Sequence, residues 1–91
     1  MNKDLKYKAI YKIYQITTGS VIDRNDKSRV QFLNTGTVDA VINNCIPLPA
    51  GSDFEFKEHH CVQIETDFDI IFPGTDTGNK IVVIETYYET I

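Results

Sequence analysis

The chain has 91 residues and a formal net charge of −4, with 42% hydrophobic and 11% aromatic residues. A chain of this length forms one small domain that buries roughly 60 to 65% of the surface exposed by its unfolded form, so its own core is modest and help from a partner is expected. Net acidity argues against nucleic-acid binding, and the apolar runs are too short to cross a bilayer.

Charge is unevenly divided along the chain. Up to Val30 there are seven basic and three acidic residues, giving +4; beyond it there are two basic and ten acidic residues, giving −8. Met1-Asn2-Lys3-Asp4 leads into Leu5-Lys6-Tyr7-Lys8 rather than into the apolar centre of a secretory signal, which makes the cytosol the expected folding compartment. In that reducing environment Cys45 and Cys61 are expected to be unpaired, packed thiols.

The first element runs from Leu5 to Thr17. Apolar side chains fall at Leu5, Tyr7, Ala9, Tyr11 and Ile13, and the parity then shifts to Tyr14 and Ile16. This predicts a strand with a bulge or bend near Ile13, and residues 1–17 as an N-terminal edge strand or assembly arm. The four-residue spacing of Leu5, Ala9 and Ile13 leaves a helix as the alternative for its first part.

Thr18 to Ser28 is polar and reads as a loop or short strand. From Val30 to Gly51 two strand patterns are punctuated by Asn34-Thr35-Gly36 and Asn43-Asn44, which tolerate the positive φ that tight hairpins require. Asp53 to Phe56 is a short strand with both phenylalanines on one face. Cys61 to Phe72 alternates most strongly, as one bent strand or two separated near Asp67. A turn-rich loop over Pro73 to Lys80 precedes a closing strand, Ile81 to Tyr88, whose middle is apolar on both faces.

Short strands separated by Gly, Pro and Asn turns specify an all-β, single-domain protein over residues 1–91. The expected architecture is an antiparallel β-sandwich of about six to eight short strands, the jelly roll being one such arrangement, with a small barrel as the alternative. The expected core comprises Phe32, Val38, Ile42, Phe54, Phe56, Val62, Ile64, Phe68, Ile70, Val82 and Ile84.

Chemistry is sparse. His59, His60 and Cys61, with Cys45 elsewhere, are the only soft-ligand set. On a strand His59 and Cys61 share a face from which His60 is excluded, so no metal ligand is assigned. Asp67 and Asp69, the loop pair Asp76 and Asn79, and the group Asp23, Asn25 and Asp26 lack the full pattern of a calcium loop and read as solvated faces and Asx turns. No phosphate loop, nucleophile elbow or RNA-binding aromatic motif is present, so catalytic residues and cofactors are set at none and the protein is read as a non-enzyme.

Lys6, Tyr7, Lys8, Tyr11, Lys12 and Tyr14 near the start, with Tyr87 and Tyr88 near the end, are the candidate interface residues. Tyrosine suits a surface that is apolar along its body and polar at its tip, and lysines steer encounters or guard an edge strand. The partner set expected from this reading is other copies of the chain, in a homo-oligomer, with neither nucleic acid nor membrane.

The stretch QFLNTGTVDAVINNCIPLPAGSDFEF, followed by DFDIIFPG and IVVIETYYE, resembles small all-β virion proteins of tailed bacteriophages. The shared features are an F-x-N-x-G-type turn, an Asn turn, and a Pro- and Gly-bearing segment that leads to a phenylalanine before the last strands. The resemblance implies a stoichiometric structural role, as a capsid decoration protein or a head-tail or tail adaptor. It also implies other virion proteins as partners, with assembly in the host cytoplasm. A small β-module that binds a ligand or carbohydrate through loop Asp and aromatic side chains is the alternative.

Overall fold

A computed structural model describes residues 6–74 and 77–91. Eight strands form: β1 (Tyr7–Ile16), β2 (Ser20–Ile22), β3 (Arg29–Asn34), β4 (Ala40–Ile42), β5 (Ile46–Leu48), β6 (Asp53–Lys57), β7 (Phe68–Ile71) and β8 (Ile81–Thr90). They make two four-stranded antiparallel sheets, one in the order β1-β8-β3-β6 and the other β2-β7-β4-β5. First pairs with last and second with seventh, then third with sixth and fourth with fifth. This is the winding of an eight-stranded jelly roll, a rolled antiparallel ribbon. Among the described residues there is no helix.

The core lies between the sheets. β3 shows why: its residues alternate half-buried and buried, which sends Val30, Phe32 and Asn34 inward. Ile81 and Val83 join them from β8, while Ile22, Ala40, Ile42, Leu48, Phe68 and Ile70 arrive from the facing sheet. Phe32 lies edge-on to Phe68 with ring centroids 5.4 Å apart, and Phe56 is 4.8 Å from Phe68. Offset and edge contacts of this kind add to the area term of aromatic burial.

Several expectations are corrected. β1 carries no bulge: it pairs residue for residue with β8 from Tyr7 opposite Thr90 to Ile16 opposite Ile81. The parity switch at Ile13 reflects a change of environment instead, because Tyr14 and Ile16 reach the core edge while Tyr11 and Ile13 face outward. β8 is turned over relative to the expected core, with Ile81 and Val83 inward and Val82 and Ile84 on the outer face. Four consecutive apolar residues give no parity by which to choose. Val38 is half-buried in the link between sheets, Phe54 sits on an edge strand, and Val62 is exposed.

Residues 62–67 form no strand. They cross from one sheet to the other, pinned where the Ile64 N–H donates to the Lys27 carbonyl at 2.8 Å. The expected hairpin at Asn34 is also a crossing, since β3 and β4 lie in different sheets. There the buried Asn34 donates through Nδ2 to the carbonyls of Val38 and Leu48, both at 2.9 Å, and accepts from the Gly36 N–H. Gly36 is required by close approach, not by φ: a Cβ there would lie 2.1 Å from the Gly78 carbonyl oxygen. The Asn43-Asn44 turn forms as expected, with φ of 51° and 59° and a closing bond from Cys45 N–H to the Ile42 carbonyl. Both central residues are left-handed, as a type I′ turn demands.

Candidate functional site

The first and last strands build the region of interest. β8 is flanked by β3 only from Ile81 to Thr86, so Tyr87 to Thr90 pair with β1 alone. β1 in turn ends its sheet, and its second backbone edge has no partner strand among the described residues. Ile10, Tyr11 and Ile13 on this strand are 39%, 58% and 65% exposed, a density of apolar side chains that an edge normally avoids.

Pairing register sorts the candidate interface residues onto two faces. Tyr7, Tyr11 and Tyr88 share the outer face, and Lys8, Lys12, Tyr14 and Tyr87 the inner one. Lys8 reaches Glu89 across the strands at 3.7 Å, and the Lys12 ammonium lies 5.4 Å from the Tyr14 ring centre. Lys6 is exposed, and its carbonyl accepts from the Ile91 N–H, carrying the pairing past the strand ends.

Tyr14 and Tyr87 direct their hydroxyls inward. Each donates to one oxygen of Glu85, a carboxylate only 2% exposed. Opposite stands Lys27, fully buried, with its ammonium 3.9 Å from Glu85 Oε1. Lys27 also donates to the Asp23 carbonyl at 2.6 Å and to Asn25 Oδ1 at 3.3 Å. The loop expected to hold exposed Asx turns thus wraps a buried cation. A cleft of about 290 Å³ opens beside this network, lined in part by Lys12, Ser20, Asp23 and Asn25. Sequence reasoning missed the pair; its one signal is Glu85 directly after the apolar run Ile81 to Ile84.

Burial pushes the Lys27 ammonium below its ordinary pKa, opposed by the charge of Glu85. The phenols of Tyr14 and Tyr87 are pushed well above theirs, first by burial and then by hydrogen bonding to the Glu85 carboxylate and by its charge. A phenol that binds its proton more tightly when folded stabilises the fold fully below the unfolded value of 10.0, and that contribution fades as pH rises above it. The stability advantage of the intact chain over Tyr14→Phe should therefore hold steady from about pH 7 to 9 and shrink above about pH 10. Thermal melts of both proteins across that range make the test. The difference isolates the phenol from Lys27, whose lowered pKa acts with the opposite sign.

A second cluster sits in the turn after β6. Here the absence of the expected strand matters, because the chain turns at His60 and Cys61 and brings His59, His60 and Cys61 together. Their ligand atoms all lie within 4.8 Å of one another. His60 packs against the β1–β8 ribbon, its ring 4.3 Å from that of Tyr7 and 6.0 Å from that of Tyr88. The Tyr7 hydroxyl contacts Cys61 Sγ at 3.8 Å, and that contact raises its pKa. Cys45 and Cys61 are both free and both exposed, contrary to the expected packed thiols, because each falls in a turn rather than in a strand.

The acidic candidates do not converge. Asp67 is held by Arg24, whose backbone N–H donates to Oδ1 at 2.6 Å and whose guanidinium lies at 3.3 Å. That bond is the main reason its carboxyl titrates below the usual range. Asp69 uses its backbone, bonding with Asn43 in both directions. Asp76 lies outside the described residues.

A larger cleft of about 620 Å³ opens between β6 and the 62–66 crossing, lined by Ile46, Phe56, Val62 and Phe68 with Glu58 and Glu65 at its rim. Comparisons with known protein families, with curated proteins and with solved structures give no match.

Proposed function

We propose that this protein is a non-enzymatic structural component of a virion, a capsid decoration protein or a head-tail or tail adaptor, acting through contacts with copies of itself and with other virion proteins. The observation that carries the reading is the open, apolar edge of β1. A ten-residue edge that exposes Ile10, Tyr11 and Ile13 is a template for adding a strand. The jelly-roll winding is compatible, being an architecture that viral capsid and lectin domains use. It does not decide function alone.

Antiparallel self-pairing of β1 about a two-fold axis is one closed arrangement of such an edge. Antiparallel pairing centred on Tyr11 sets Ile13 against Ala9 and Lys12 against Ile10, with no lysine opposite a lysine. The outer apolar residues of both copies then meet on one continuous sheet. Light scattering should find the intact chain associated, and Ile13→Lys, which alters a side chain that is 65% exposed, should shift it toward monomer with an unchanged far-ultraviolet circular dichroism spectrum. A strictly monomeric intact chain, absent from purified particles, would end this reading.

The 620 Å³ cleft favours a second reading as a ligand- or carbohydrate-binding module, since its size suits small molecules. Saturable sugar binding abolished by Phe56→Ala, with Ile13→Lys silent, distinguishes the two.

A further inference from the structure

We propose that His59, His60 and Cys61 form a binding site for a soft divalent cation, zinc in the first instance, with three protein ligands and a fourth position open to solvent. This goes beyond the structural role and does not depend on it. One thiolate with two imidazoles is a donor set that suits zinc, whereas calcium and magnesium require oxygen.

The backbone around the cluster is anchored on both sides. The Glu58 N–H donates to the Ser28 carbonyl and the Val62 N–H to the His59 carbonyl, both at 2.8 Å, while Ser28 Oγ lies 3.4 Å from the His60 carbonyl. Three consecutive ligands are thereby held in one turn. Tetrahedral zinc, with bonds of about 2.0 to 2.3 Å, places its ligand atoms roughly 3.4 to 3.6 Å apart. The observed spread of at most 4.8 Å exceeds that spacing by little more than about 1 Å.

His59 Nδ1 accepts from the Cys61 N–H at 3.2 Å, so its lone pair points toward residue 61. A metal at Nδ1 exchanges this one long hydrogen bond for a coordinate bond. His59 and Cys61 are exposed, leaving a path for the ion, whereas His60 is steadied by Tyr7 and Tyr88. The bound ion would clamp the turn after β6, and through His60 the end of the β1–β8 ribbon.

Cobalt(II) is the probe, titrated into the intact chain under reducing conditions. The expected result is one equivalent per chain, with visible bands of tetrahedral type and a near-ultraviolet sulfur-to-metal charge-transfer band. Cys61→Ser should abolish the charge-transfer band, and His59→Gln or His60→Gln should weaken binding at least tenfold. Cys45→Ser should change neither. Zinc should displace cobalt and raise the melting temperature of the intact chain but not of Cys61→Ser. Because His59 and Cys61 are exposed, their variants should fold as the intact chain does, with the melting temperature before metal addition as the check. A missing charge-transfer band, its loss in Cys45→Ser, binding retained by the Cys61→Ser/His59→Gln double variant, or a stoichiometry other than one per chain overturns the site.

Discussion

Phe68→Ala should destabilise the protein by about 3 to 5 kcal/mol, the range for truncating a fully buried phenylalanine. Phe68 is 1% exposed and stands between Phe32 and Phe56, so its removal leaves a cavity bordered by rings on the opposite sheet. Those rings are fixed by β3 and β6, and the cavity cannot close without moving a strand. In a domain this small, whose total stability is on the order of 5 to 10 kcal/mol, such a loss is close to unfolding. Urea unfolding monitored by far-ultraviolet circular dichroism measures it. A loss below about 0.5 kcal/mol, the scale of surface changes, would mean that Phe68 does not face the core.

Fold class was legible because most strands bury one face. Phe68 stands between Asp67 and Asp69, and Val30, Phe32, Phe68 and Ile70 keep one parity along their strands, so period-two patterning puts them inside. The pattern failed where both faces are apolar or neither is. In Ile81-Val82-Val83-Ile84 the inward pair is set by which face of the β1-β8-β3-β6 sheet meets the other sheet, which is a long-range fact. In Val62-Gln63-Ile64-Glu65-Thr66 the alternation is strong, yet the segment leaves one sheet for the other and buries only Ile64.

The candidate sites were less legible for a related reason. The assumption of a strand from Cys61 onward separated His60 from its neighbours, and the turn that reunites the three depends on Ser28 and Lys27 of a distant segment. The tyrosines are close together along the strands but fall on two faces. Tyr11 is exposed on the outer face, and Tyr14 gives its hydroxyl to a buried carboxylate. Pleat parity separates these two, while the partner of Tyr14 lies 71 residues away.

That carboxylate gives the other large effect. Glu85→Ala should cost about 3 to 5 kcal/mol, as expected when one member of a buried ion pair is removed and the other charge is left uncompensated. Lys27 is 0% exposed, and without Glu85 its ammonium keeps the neutral oxygens of Asp23 and Asn25 as hydrogen-bond partners, with the carboxylates of Asp23 and Asp67 as weaker charge partners. Tyr14 and Tyr87 lose their acceptor in the same step. Desolvation of an ion pair costs much of what its attraction returns, so removing both charges together should do less harm than removing one. The double variant Lys27→Met/Glu85→Leu should accordingly recover at least half of the single-variant loss, which a double-mutant cycle in urea reads directly. Additive losses, or a Glu85→Ala cost under about 1 kcal/mol, would show that the pair is solvated and that the inner face of the ribbon is open to water.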